Sequence, residues 1–427
     1  MGSIRETADK LFAGELPIRE HHPLGFTGES EEVADGVMFC RWFANVSAIK
    51  TAEGLVLIDT GAYFNQRNTL ELIRRYSHDR INTAIYTHGH VDHACGMPAF
   101  VAEAGTNHVA RPRVVGHRAV AARFDRYKRT LGYNRIANTR QFNRPSVWPT
   151  DYVYPDTYFD HQLNVVAGNH KFECHHARGE TDDHCWIYFA HAKVLFTGDL
   201  IIWAAPNAGN PQKAQRYARE WAEALRTMAK LGANVLVPGH GYPVFGATKV
   251  RQVLNDTAEY LESLYQQTLA MMNEGASLDA VIHSVKPPEK FADKPYLQPI
   301  YDEPEFIVRN IWRLEGGWHD GVASRLKPAS DADQAREIAA LAGGIGNIIA
   351  RAISNLEDGK LQLACHLIDW AIAAGPENKS AHEARVRIYD ARAKDSASTM
   401  SHGIFRAAVL ESAQKAGVIA PDDPRSY

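Results

Sequence analysis

No stretch of about 18 consecutive apolar residues occurs in this 427-residue chain, so the sequence predicts no membrane-spanning helix. The N-terminal stretch, MGSIRETADKLFAGELPIREHHPLG, lacks the continuous apolar run of a secretory signal. A charge excess of one sign is missing too. The 47 Lys and Arg against 50 Asp and Glu leave a net charge of −3, which argues against nucleic acid and anionic membrane as partners. Cysteine is scarce. Cys40, Cys95, Cys174, Cys185 and Cys365 are odd in number and form no CxxC, so they read as small buried side chains in a reducing, cytoplasmic setting. Only Cys95, two residues past a histidine cluster, has any claim as a thiolate ligand. Low-complexity tracts and repeat arrays are absent, and 45% hydrophobic residues suffice for a sizeable core.

Length alone suggests two or three domains, at roughly 100–200 residues each. Short apolar stretches alternate with helical patterns up to about residue 245. GVMFCRWFANVSAIK, LVLIDTG, INTAIYT, KFECHHA, CWIYFA, KVLFTGDL and NVLVPGHG read as strands, and NQRNTLELIRRYS reads as a helix. This mixture predicts an α/β architecture with sheet in the core. Further on, Val250, Val253, Leu254, Leu261 and Leu264 recur at helical spacing. KPPEKFADKPYLQP then reads as a linker or extended arm. From about residue 331 the chain reads as all helix, with LQLACHLIDWAIAAGPENKSAHEARVRIYDARAKD resembling one helix–turn–helix unit of the tetratricopeptide kind. A single unit cannot bury its own apolar face and needs its own domain or a second chain to cover it. The expected division is a sheet-containing domain over 1–285 and a helical one over 286–427.

The chemistry concentrates in THGHVDH, residues 87–93, at the end of an apolar strand. His88 and His90, two apart in extended chain, point the same way. Gly89 permits a tight turn between them. Asp92 and His93 diverge to another side. One turn therefore offers two nitrogens to one ion, and an oxygen and a nitrogen to a second; imidazole and carboxylate are ordinary ligands of zinc and similar divalent metals. Further donors come from HHARGETDDH (His175, His176, Glu180, Asp182, Asp183, His184), from Asp199 in LFTGDL and from His240 in VLVPGHGYP. A strand-end Asp alone is more often a turn former. The whole ordered series predicts a site along one edge of a sheet.

HxHxDH, a ligand-bearing loop, TGD and PGHG in this order resemble the signature series of the metallo-β-lactamase fold superfamily over residues 37–245. The resemblance implies an αββα sandwich with a dinuclear metal site: His88, His90 and the residue of the GET loop on one cation, Asp92, His93 and His240 on the other, and Asp199 bridging. Much of the superfamily has histidine where this chain has Glu180, and a carboxylate there is similar to the alkylsulfatase branch; His184 is the competing third ligand. PIYDEPEFIVRNIWRLEGGWHDGVASRLKP, residues 299–328, resembles the opening of the alkylsulfatase dimerisation domain, and the helices after it continue that all-α domain. The chain departs from that branch in three places. It stops at 427, without the sterol-carrier-type module; Asp199 stands where those sulfatases commonly bridge with glutamate; and GYNRIANTRQF, residues 132–142, only loosely resembles their sulfate-recognising segment.

The donor series and the resemblance together imply a metal-dependent hydrolase. Two divalent cations, zinc first and iron or manganese as alternatives, share a water that they acidify to hydroxide near neutral pH. The hydroxide attacks a sulfate ester, with Asp92 or Asp199 holding its proton. A carboxylic ester, lactone, thioester or amide is the alternative substrate. A di-iron redox protein, or an interaction protein whose helical half matters most, are readings from other classes. Arg140, Trp203 and Asn207 are the candidate substrate contacts, with Asn210, Arg216 and Tyr217 in the same loop as the last two. Trp318 and His319 in GGWHDG read as a turn. The expected partners are a small-molecule substrate and a second copy of the chain, bound through the helical domain.

Overall fold

The structure is a computed structural model that describes residues 3–423 and 425. Its N-terminal part is built on two sheets. The first has seven strands whose spatial order follows the chain: β1 (Glu29–Ala34), β2 (Val37–Arg41), β3 (Val46–Thr51), β4 (Gly54–Ile58), β5 (Ile81–Ile85), β6 (Arg113–His117) and β7 (Thr157–Phe159). β1 to β4 pair antiparallel, and β4 to β7 pair parallel. The second sheet contains β8 (Gln162–Ala167), β9 (His170–His176), β10 (Cys185–Phe189), β11 (Val194–Gly198), β12 (Val235–Pro238) and β13 (Val244–Phe245), side by side in that order. Within it only β11 and β12 are parallel.

Alternation along β4 shows how the layers form. Leu55 and Leu57 point into one core cluster with Leu72, Ile73, Phe100 and Phe124, from the helices Gln66–Tyr76, Met97–Thr106 and Ala119–Arg129. Val56 and Ile58 point the other way, into a second cluster shared with Ile187, Phe196 and Val237 of the other sheet. Successive side chains on a strand face opposite sides, so a strand covered on both faces must be apolar at every position. β10 and β11, buried along their whole length, meet the same demand. Helices Ala218–Met228 and Ala247–Asn273 close the outer side of the second sheet with Trp221, Leu225, Val250, Val253, Leu254, Leu261 and Leu264. The result is the expected α/β sandwich, helix–sheet–sheet–helix.

The chain packs as two compact units. One comprises the chain up to Leu131 together with Trp148–Trp318; the other comprises Gly132–Val147 and the chain from His319 onward. Residues 286–318 therefore pack with the sheets. The stretch read as a linker, 286–299, forms two short 3₁₀ turns, Glu289–Phe291 and Pro295–Leu297, with Phe291, Tyr296 and Leu297 buried. The second unit is all helix. Ile348, Ala352, Ala364, Ile368, Ile388 and Val409 form its core. GYNRIANTRQF falls in the helix Leu131–Phe142, and this helix meets Thr399–Ala416 so closely that a Cβ on Gly403 would lie 1.9 Å from the Gln141 carbonyl oxygen. Among the described residues no single helix is long and apolar enough to cross a membrane. The pair Asp331–Leu341 and Ile345–Glu357 reaches that length and composition only jointly, with an 87° bend between them.

Candidate metal centre

The polar loops gather at one edge because of strand direction. β4 and β5 run parallel, and their C-terminal ends deliver Asp59 and His88–His93. β11 and β12 also run parallel and deliver Asp199 and His240. β10 is antiparallel to β11, so the turn entering it, which carries Glu180, lies at that same edge. Placement of ligands beyond the carboxyl ends of strands is the general habit of parallel sheets.

Two donor groups result. His88, His90, Glu180 and Asp199 form the first; Asp92, His93 and His240 form the second. Within each group one ligand atom per residue lies within 4.8 Å of all the others. Glu180 Oε2 is 3.4 Å from His88 Nε2 and 3.0 Å from His90 Nδ1. Asp199 spans both groups: its Oδ2 is 3.8 Å from His88 Nε2, and its Oδ1 is 3.0 Å from His93 Nε2 and 3.4 Å from His240 Nε2. Asp92 Oδ2 lies 3.5 Å from His240 Nε2 and 3.7 Å from His93 Nε2.

The donor set fits a pair of divalent cations. His93 Nε2, Glu180 Oε2 and Asp199 Oδ1 are buried yet make no hydrogen bond, although buried polar atoms are otherwise nearly always paired. Convergent imidazoles and carboxylates with orphaned tips are the ordinary constitution of a cation site. The electrostatics agree. Burial pulls the His93 imidazole down, but Asp199, Asp92 and Asp59 outweigh it and hold the ring well above its ordinary value; positive charge is favoured here. Burial pushes the Asp199 carboxyl up, and His93 and His240 overcome it, leaving the group well below the usual carboxylate range.

Several of the candidate ligands are aimed by a partner behind them. Asp59, missed in the sequence, accepts from the Thr87 N–H and hydroxyl at 2.7 Å each, and its Oδ2 lies 2.9 Å from His93 Nδ1. That contact turns His93 Nε2 toward the site, in the carboxylate–histidine relation common behind metal ligands. His240 Nδ1 is held by the Phe43 carbonyl. Glu180 Oε1 is taken by the Asn207 amide and lies 3.4 Å from Arg216 Nη2, which leaves Oε2 to the histidines. Asp183 accepts from the Gly89 N–H at 2.8 Å and from Arg123 Nε at 2.8 Å, bracing the His88–His90 turn. The Arg123 guanidinium overrides burial and keeps that carboxyl ionised.

Glycine acts here by close approach. Gly89 does not adopt the left-handed conformation; a Cβ there would lie 2.8 Å from Asp183 Oδ2 and 2.9 Å from Arg123 Cδ. At Gly239 a Cβ would lie 2.0 Å from Asp199 Oδ1.

Other expected residues fall elsewhere. The His184 ring stacks on His88, and its Nε2 accepts the Asp199 backbone N–H at 3.1 Å, so it lies behind the donor set rather than within it. Burial first of all keeps that imidazole neutral. Trp203 is 1% exposed and donates its indole N–H to the Tyr242 carbonyl, so it is core and not a pocket wall. Asn207 is buried with its amide spent on Glu180. Arg140 is exposed on the helix Leu131–Phe142, in the helical unit. Trp318 and His319 lie exposed in the turn after the helix Pro304–Gly316. Cys95 is buried, burial raises its thiol, and it belongs to neither donor group.

Comparison with known proteins agrees with this geometry. The chain matches the model of the metallo-beta-lactamase superfamily over residues 41–240 and that of the alkyl sulfatase dimerisation domain over 277–415. A linear primary-alkylsulfatase of Pseudomonas sp. (strain ATCC 19151) is 28% identical over 368 residues, covering 80% of this chain and 69% of the relative. An (R)-specific secondary-alkylsulfatase of Pseudomonas sp. is 26% identical over 371 residues, 79% of this chain but only 55% of the relative. Among solved structures, the stereoselective inverting sec-alkylsulfatase Pisa1 from Pseudomonas sp. shares the fold with a TM-score of 0.82 at 21% identity, over 94% of this chain and 67% of that one. With the donor loops at one strand edge, the chain carries a metallo-β-lactamase-type region over residues 41–240 followed by an alkyl sulfatase dimerisation region over 277–415, the order in which the two modules occur along the sequence.

Proposed function

We propose that this chain is a dinuclear, zinc-dependent sulfuric ester hydrolase acting on alkyl sulfates. The observation that carries the reading is Asp199, whose two oxygens face separate donor groups of the kind a cation pair requires. His88, His90 and Glu180 would hold one cation and Asp92, His93 and His240 the other, with Asp199 within reach of both donor groups. The bound cations supply Lewis acidity toward an ester oxygen and a water acidified to near neutral pH. Asp92, the most accessible of the carboxylates at 17% side-chain exposure, takes the proton of the attacking water, with Asp199 as the second acceptor.

An aromatic group beside the centre supports an apolar substrate body. Phe43, whose carbonyl holds His240, packs on Phe26 and Phe64 with ring centroids 5.4 and 5.9 Å away. Phe26 and Phe64 are nonetheless 43% and 50% exposed, a costly arrangement for a surface with no ligand to bind. We further propose a homodimer through the helical domain, on the dimerisation model that residues 277–415 match. The expected division at 285/286 falls inside the matched module, which begins at residue 277; the five free thiols support a cytoplasmic site of action.

The test is elemental analysis of the purified protein with a panel of dodecyl sulfate, a lactone and a carboxylic ester. Two zinc ions per chain, sulfate release from the alkyl sulfate and loss of that release on chelation are expected. Turnover of the ester or lactone without sulfate release would overturn the sulfatase reading; bound iron with oxidase activity would overturn the hydrolase.

A further inference from the structure

Glu180 owes its aim to the loop after β11, and that loop is gripped from outside. Asn207 and Arg216, the two residues on Glu180 Oε1, bracket it. Gly209 lies between them and donates its N–H to Asp302 Oδ2 at 2.6 Å; Asp302 Oδ1 accepts the Glu303 N–H at 2.7 Å. Asp302 is fully buried, and burial pushes its carboxyl up to about 7. An acid kept at that cost, with both oxygens spent on backbone N–H groups, has a task beyond packing. A second grip lies two turns further on. The Asn310 amide donates to the Arg216 carbonyl at 3.0 Å, and its Oδ1 accepts from Gln215 Nε2 at 2.9 Å. A third is the Ala205 N–H on the Gln298 carbonyl at 2.8 Å. The loop also sits directly on the helix Pro304–Gly316: a Cβ on Gly209 would lie 2.1 Å from the Ile307 nitrogen.

We propose that Asp302 and Asn310 are positioning residues for the first cation, acting through Asn207 and Arg216 on Glu180. The segment 298–310 then does more than lead into the helical module: it clamps the loop that points a carboxylate ligand. This rests on the reading of Glu180 as a ligand. Partners behind metal ligands typically cost about 10–100-fold in metal affinity when removed, and here the loss falls on one ion of two.

The experiment is zinc competition against a chromophoric chelator on the full-length chain, with thermal unfolding in parallel. Glu180→Ala identifies the zinc equivalent that Glu180 holds. Asp302→Ala is expected to weaken that same equivalent about 10–100-fold and Asn310→Ala about 10-fold, the other equivalent unchanged. Both equivalents weakening together with the melting temperature would mean a merely structural role and overturn the proposal, as would no change in either. Should Asp302→Ala fail to fold, Asn310→Ala, half-buried and replacing a neutral side chain, decides the matter. If Glu180→Ala itself leaves both equivalents intact, it is the ligand reading that falls.

Discussion

The Asp59 carboxylate stands one step back from the two donor groups. It accepts from Thr87 and lies on His93 Nδ1, with its own backbone at φ 58°, and so decides which imidazole nitrogen faces the second donor group. Asp59→Ala is expected to lower affinity for the second cation by about 10–100-fold with the fold retained, measured by chelator competition and circular dichroism. Nothing in LVLIDTG marks Asp59 as more than a strand-end Asp; a neighbouring histidine-rich strand end was the available signal. The groups it serves were easier to find. His88, His90, Asp92, His93, Asp199 and His240 stood out as candidates by their place after apolar strands, and Glu180 by its place in the loop pattern of the family the chain resembles; the structure brings all seven into the two donor groups. Trp203 and Asn207 are the converse. Both lie in a loop near the site, and sequence proximity suggested substrate contact. Burial gives one to the core and the other to Glu180.

At the level of elements, strand direction outranks composition. The strands were recognisable by their apolar runs, but parallel or antiparallel pairing, which puts four loops at one edge, follows from helices that cross over between strands. Helix Ala218–Met228 is one such crossover and also a support for the site. Trp221 is fully buried, donates its indole N–H to the Leu200 carbonyl at 3.0 Å and lies under Gly179, so it holds the loops of both Glu180 and Asp199. Trp221→Ala is expected to cost about 3–5 kcal/mol of stability, read from urea unfolding, and to weaken zinc binding as well. The helix Leu131–Phe142 escaped the sequence reading because GYNRIANTRQF carries Gly, Asn and Thr and shows no clean apolar stripe; contact with Thr399–Ala416 forms it.

Over the whole molecule, the helical unit leaves large apolar side chains outside. Leu341 is 83% exposed, Leu363 55% and Trp370 40%. Exposed apolar side chains of this size are what an interface between two copies of the chain would cover. Light scattering is expected to give twice the 47.5 kDa chain mass, and Leu363→Glu combined with Trp370→Glu to shift the species toward monomer with zinc content intact. A monomeric wild-type chain at micromolar concentration would contradict the dimer.

By itself the sequence determined the layered α/β class, the helical second half and the seven candidate ligands, because period, strand ends and residue chemistry are local properties readable one segment at a time. Tertiary structure alone decided which oxygen of Glu180 and of Asp199 faces which donors, that His184 stands behind the site, and that Asp59, Asn207, Arg216 and Asp302 aim it. Those are distances between residues up to about two hundred positions apart, set by burial and close packing of the whole chain, and no local pattern encodes them.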